Sequence, residues 1–166
     1  MPGLPQYVDP LRLAETGESI AGRLAVGAMP RLREVLSGDS GAVEFRLNFD
    51  RDEQGLVRIL GEFSASVRAV CQRCLEPLEL PVAGTIRVAP IEGDGTRVMP
   101  AGTEPLVLSE GRIHLLGFIE DEVLLALPIA PMHEEGMCKQ RPGAKPDAGQ
   151  RARPFAALEG LTLRKK

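Results

Sequence analysis

The chain has 166 residues, 43% of them apolar, and a formal net charge of −3, with a pI near 5.5. This is enough for one hydrophobic core, with or without tails, and the acidic balance argues against a strongly basic nucleic-acid binder. With five Phe, one Tyr and no Trp, a stacked-aromatic platform for single strands is not expected either.

Met1–Pro10 lacks the basic region and apolar run of a secretory leader, and no segment approaches the roughly 18 apolar residues of a membrane span. Three cysteines cannot all pair within one molecule, which suits a reducing compartment. A cytoplasmic protein is expected.

Asp9 as cap and Pro10 at the first helical position predict a short helix carrying Leu11, Leu13 and Ala14. Ile20, Gly22, Leu24 and Val26 alternate with more polar neighbours, as in a strand. Met29, Leu32, Val35 and Leu36 share one helical face, with Pro30 in the first turn and Gly38 placed as a left-handed terminator. Val43, Phe45, Leu47 and Phe49 then alternate with Glu44, Arg46, Asn48 and Asp50. After a polar turn ending at Gly55, Val57, Ile59, Phe63, Ala65, Val67, Ala69 and Cys71 share one parity. Beyond Pro77 the alternation resumes with Leu78, Leu80, Val82, Ile86 and Val88. Such runs joined by short turns predict an antiparallel meander with one buried face.

Residues 90–104 lose periodicity and read as a loop whose glycines do not sit between a strand and a helix, as a phosphate cradle requires. Leu106, Val107 and Leu108 can add a short strand. Ile113–Leu127 gives the best helical pattern, with Leu116, Ile119, Val123 and Leu127 in a stripe that Leu115, Phe118, Leu124 and Leu125 widen; Pro128 stops it. Glu120, Asp121 and Glu122 are read as a solvated acidic face, although paired carboxylates can also hold a divalent ion or move protons.

The expected fold is α+β: an antiparallel sheet of four to six strands with that long helix packed on one face. Residues 1–138 form the single domain, 139–153 a flexible linker rich in Lys, Arg, Pro and Gly, and 154–166 an apolar hook with a basic tail.

Cys71-Gln72-Arg73-Cys74 lies at the bend between two β-patterned runs. A thiol–disulfide enzyme places its Cys-x-x-Cys at a helix N-terminus, and no helix is predicted here, so redox catalysis is a minor option. The other use is zinc, with two thiolates on a tight turn completed by distant ligands. His133 and Cys138 can supply them, and a Cys/Cys/His/Cys set is soft enough for Zn²⁺. The plain alternative is three reduced cysteines and a surface histidine. A nucleophile–base pair of Cys138 and His133 lacks an orienting third group, and His114 is expected to cap the helix or face solvent.

The segment Val70 to Pro77, the segment Glu120 to His133 followed by Cys138, and the ending Arg153-Pro154-Phe155-Ala156-Ala157-Leu158 together resemble the YceD family of large ribosomal RNA subunit accumulation proteins. Leu4-Pro5, Asp9-Pro10 and Leu11-Arg12 fit as well, and the weakest match is the loop 90–104; where members often have an acidic residue at the start of the helix, this chain has His114. The resemblance implies a cytoplasmic, non-enzymatic factor for synthesis, processing or stability of large-subunit (23S) ribosomal RNA. It also strengthens a joint, metal-binding role for Cys71, Cys74, His133 and Cys138, because all four fall inside the two signatures.

The expected partners are large-subunit rRNA or a pre-ribosomal particle, with ribosomal proteins as further candidates and no membrane. Direct RNA contact would rest on Arg58, Arg68, Arg73 and Arg87 or on the basic tail, although an ordinary solvated sheet face explains those arginines too. The second hypothesis is an adaptor that binds a ribosomal protein or another enzyme through the acidic helix face.

Overall fold

The computed structural model describes residues 3–91 and 99–138. The expected linker and hook, and much of the expected loop, lie outside the described residues. Among the described residues ten strands and α-helices follow one another: β1 (Tyr7–Val8), α1 (Pro10–Thr16), β2 (Ser19–Ala25), α2 (Pro30–Val35), β3 (Ala42–Arg51), β4 (Val57–Val70), β5 (Pro77–Ile91), β6 (Glu104–Val107), β7 (Ile113–His114) and α3 (Leu115–Ala126), with a single 3-10 turn, Val26–Ala28, between β2 and α2. The class is α+β, as expected. The main sheet has the order β2-β3-β4-β5-β6. Its first four strands form the antiparallel meander, but β6 joins β5 in parallel, so the sheet is mixed.

The alternating residues meet across the strands: Phe45 faces Phe63 and Phe49 faces Ile59, while Val67 lies opposite Leu80. Their shared parity puts Val43, Leu47, Phe49, Ile59 and Val67 on one face, nearly or wholly shielded from solvent. At Gly61, opposite Leu47, an added Cβ would collide with the Arg46 carbonyl and lie 2.8 Å from Leu47 Cδ2. Since the Arg46 carbonyl is backbone, it cannot step aside. Gly61→Ala is expected to cost about 1–3 kcal/mol, read from the urea midpoint. Gly27→Ala, where a Cβ meets nothing closer than 3.5 Å, should change it little.

The Asp9 carboxylate accepts from the N–H of Leu11 and of Arg12 at 3.0 and 3.1 Å, and Gly17 closes α1 with φ 65°. Helix α2 starts with Pro30 in its first turn, as expected, but departs from expectation at its C-terminal end. Met29 offers no side-chain cap, and the helix stops at Leu36 with φ −94° rather than at Gly38. The Ser37 N–H donates to the Arg68 carbonyl at 2.9 Å, so β4 captures the chain before a glycine terminator is reached.

The long helix is also corrected: α3 has 12 residues. Ile113 and His114 instead pair with Val8 and Tyr7 in a two-stranded ribbon, and the Leu115 N–H donates to the Gln6 carbonyl at 3.0 Å. His114 then caps α3, its Nδ1 accepting from the Gly117 N–H at 3.1 Å. Leu115, Phe118, Ile119 and Val123 are buried, whereas Leu125 is 78% exposed. The apolar stripe is therefore narrower than the sequence suggests.

The acidic run is the largest correction. Glu120 is only 2% exposed. Its Oε1 accepts from the backbone N–H of Arg31 at 2.8 Å and of Leu32 at 3.0 Å, and its Oε2 accepts from Arg31 Nε at 3.2 Å. It supplies the cap that α2 lacks, from a different helix, and so pins α3 to α2. Asp121 stays at the surface and pairs with the other side of the same guanidinium at 2.6 Å.

Candidate metal centre

Strands β4 and β5 form a long hairpin, and residues 71–76 are its tip. The Cys71 N–H donates to the Glu76 carbonyl at 2.9 Å and the Leu75 N–H to the Cys71 carbonyl at 2.8 Å. This tight turn requires Leu75 in the left-handed region, at φ 63°, a cost that only glycine avoids. Both thiols are shielded, Cys71 completely and Cys74 almost so.

Pro128 ends α3, and the following loop crosses the hairpin tip, held by the Gln72 N–H donating to the Pro131 carbonyl at 2.8 Å. That crossing delivers the distant residues. Cys138 Sγ lies 3.9 Å from Cys71 Sγ. His133 Nδ1 is 3.3 Å from Cys74 Sγ and 3.8 Å from Cys138 Sγ. The four ligand atoms all lie within 4.8 Å of one another. The structure therefore brings together all four residues singled out in the sequence, as a cluster that could hold a metal ion. All three cysteines are free. The strand β5, not a helix, follows the Cys-x-x-Cys pair.

The histidine's tautomer follows from its neighbours. His133 Nε2 lies 3.1 Å from the Pro77 carbonyl, which can only accept, so Nε2 carries the proton. In the neutral ring Nδ1 then presents a lone pair to the sulfurs, the orientation a ligating histidine needs.

Arg73, expected from the sequence on an RNA-binding patch, belongs to the cluster instead. Its Nε donates to Cys138 Sγ at 3.1 Å, and its Nη2 donates to the carbonyls of His133 and Glu134 at 2.9 and 3.1 Å. It clamps the loop to the hairpin and sets a positive charge beside the sulfurs. Its place inside the Cys-x-x-Cys turn was the signal. The other arginines of the expected RNA patch are also engaged, Arg58 with Asp50 at 2.9 Å and Arg68 with Glu79 at 3.1 Å. Among the described residues only Arg87 of that group makes no ion pair, so the patch is largely neutralised.

The electrostatics favour thiolates. Burial pushes the Cys71 thiol up, but hydrogen bonds from the backbone N–H groups of His133, Arg73 and Cys74 prevail and bring it down to about 5. Burial likewise opposes ionisation of Cys138, and its contacts with Arg73, Cys74 and His133 outweigh it, so its pKa falls. Cys74 goes the other way: the Glu76 N–H favours its thiolate, yet burial and the neighbouring sulfurs raise it. The hydrogen bond with Cys138, then that with Cys71, raises His133. Three thiols beside one imidazole thus compete for protons, which a dication in their midst would displace.

The fold and the cluster define an α+β protein in which a hairpin tip and a post-helical loop share a Cys₃His set able to hold a metal ion. A family model described as "Large ribosomal RNA subunit accumulation protein YceD" matches residues 59–162, a span that includes all four cluster residues. The large ribosomal RNA subunit accumulation protein YceD of Haemophilus influenzae is 32% identical over 166 residues, which cover 95% of each chain. The chain belongs to the YceD family. No solved structure matches it. Among the described residues no helix is long and apolar enough to cross a membrane.

Proposed function

We propose that this chain is a non-enzymatic cytoplasmic factor supporting synthesis, processing or stability of large-subunit ribosomal RNA, and that Cys71, Cys74, His133 and Cys138 hold a structural zinc ion. The observation that carries the role is the match to the YceD protein of Haemophilus influenzae along nearly the full length of both chains. Zinc is favoured by the donor set. Three thiolates and an imidazole are soft ligands, and four protein donors leave no open position for substrate, as in structural sites. Tetrahedral bonds of about 2.3 Å separate sulfurs by about 3.8 Å, close to the 3.9 Å between Cys71 and Cys138. The ion would join two loops that few other contacts hold, and one positive charge from Arg73 balances the net negative charge of such a centre.

In this reading residues 1–138 are the single domain, 139–153 a linker and 154–166 an apolar hook with a basic tail. A second reading, an adaptor for a ribosomal protein, is favoured by two features. Three of the four arginines are already engaged, and Ile129, Met132 and Met137 project from the loop around the cluster, each more than half exposed.

Two measurements test the proposal. Depleting the protein is expected to lower the ratio of large- to small-subunit rRNA, and the protein should sediment with precursor particles; an unchanged ratio together with no sedimentation would overturn the role. Binding of purified large-subunit rRNA over a salt series then separates the readings. A steep loss of affinity with salt marks phosphate contact, whereas no binding at low salt leaves the adaptor.

A further inference from the structure

The core is open at the end nearest the metal cluster. There a groove of about 350 Å³ runs between the C-terminal ends of α2 and α3 and the β4–β5 hairpin, lined by Leu36, Leu80, Leu124, Leu127 and Ile129 with Val35 at the rim. Leu36, Leu80, Leu124 and Leu127 are partly buried residues packed against the core, while Val35 is 59% exposed and Ile129 fully so. Among the described residues nothing covers this aliphatic hollow.

We propose that the occupant is the chain's own segment 154–161, Pro154-Phe155-Ala156-Ala157-Leu158-Glu159-Gly160-Leu161. The described chain ends at Cys138, beside the groove. Cys138 contacts Cys71, whose neighbours Val70 and Gln72 belong to the groove wall. The fifteen residues 139–153 span at most roughly 50 Å when extended, ample to reach any part of it. Their sequence is polar, contains Pro and Gly, and has no apolar cluster of its own. Beyond them Phe155, Leu158 and Leu161 recur every three residues, a spacing that puts them on one side of a short helix. Pro154 fits the first position of such a helix. A tether of this length holds the segment at an effective concentration in the millimolar range, above that of a competing protein in trans. The groove wall includes Ile129 and Pro131 of the loop that crosses the hairpin tip, so the groove is complete only while that loop stays on the hairpin, and the test keeps the cluster intact.

Methyl-resolved NMR of the full-length protein, with its cluster intact, is the test. Phe155 ring protons are expected to show NOEs to the methyls of Leu124, Leu127 and Ile129, and those methyls should shift on Phe155→Ser with Leu158→Ser. These residues lie outside the described core, so the variant is not expected to unfold it, and unchanged signals from Phe49 and Ile59 check that. NOEs that vanish in a mixed-label dilution series would show a second copy in the groove and overturn the proposal, as would groove methyls indifferent to the tail substitutions.

Discussion

Removing the zinc ion proposed for the cluster, or any one of its four proposed ligands, is expected to release residues 128–138 from the hairpin while leaving the sheet folded. The sheet, α1 and most of α3 belong to a core that does not include the cluster sulfurs. The loop, by contrast, is held to the hairpin tip by one backbone bond at Gln72, the His133 contacts and Arg73. A bound ion adds stability as RT ln(1 + [L]/Kd), about 4 kcal/mol when free metal exceeds Kd a thousandfold. For a chain of this size that corresponds to a Tm lower by roughly 8–16 °C after chelation. Elemental analysis of untagged protein should give one zinc per chain, absent in Cys74→Ser, and hydrogen exchange should quicken across the loop. A metal content near zero in the wild type, unchanged in Cys71→Ser, would sink the zinc assignment. Arg73→Met is expected to weaken zinc retention without abolishing it, because the guanidinium acts on Cys138 from outside the ligand set.

The second large effect is predicted far from the metal. Glu120→Ala leaves two backbone N–H groups at the start of α2 without an acceptor and strips Arg31 of its inner partner. Hydrogen bonds to a charged group contribute about 1.5–3 kcal/mol each, so a loss of about 3–5 kcal/mol is expected, in the range for breaking a buried charged partnership. Arg31 itself is half exposed, so most of that cost falls on the backbone groups rather than on the ion pair. Asp121→Ala, which removes an exposed partner of the same arginine, should stay within about 0.5 kcal/mol. Denaturant unfolding of the two variants separates a trans-helix cap from a decorative acidic surface: equal midpoints would refute the cap.

Strand parity was legible because one buried face imposes a period of two, and Val43 through Val88 obey it with few exceptions. The cap at Asp9 was legible because it is local. What escaped was set by partners distant in sequence. Glu120 looks like Asp121 and Glu122 until α2, 89 residues earlier, is placed beneath it. Leu125 looks like core because helical spacing allows a wider stripe than this small sheet can cover. Ile113 and His114 read as helix because nothing nearby announces that Tyr7 and Val8 pair with them. The four cluster residues could be named from their types, but their convergence depends on the loop after α3 crossing the hairpin, and spacing along the chain does not encode that crossing. Arg73 was assigned to an RNA surface because its charge was read without its neighbours.

The division of the cluster between hairpin and loop also sets a timetable for the protein's own synthesis. Cys71 and Cys138 are 67 residues apart, and at about 5–20 residues per second translation takes roughly 3–13 s to travel that distance. For those seconds the growing chain carries a pair of thiols, with neither the His133 imidazole nor the third sulfur yet made. A nascent chain held in this half-built state is the form most exposed to oxidants and stray metals, so the yield of correctly loaded protein is expected to depend on zinc supply during translation more than on zinc added afterwards.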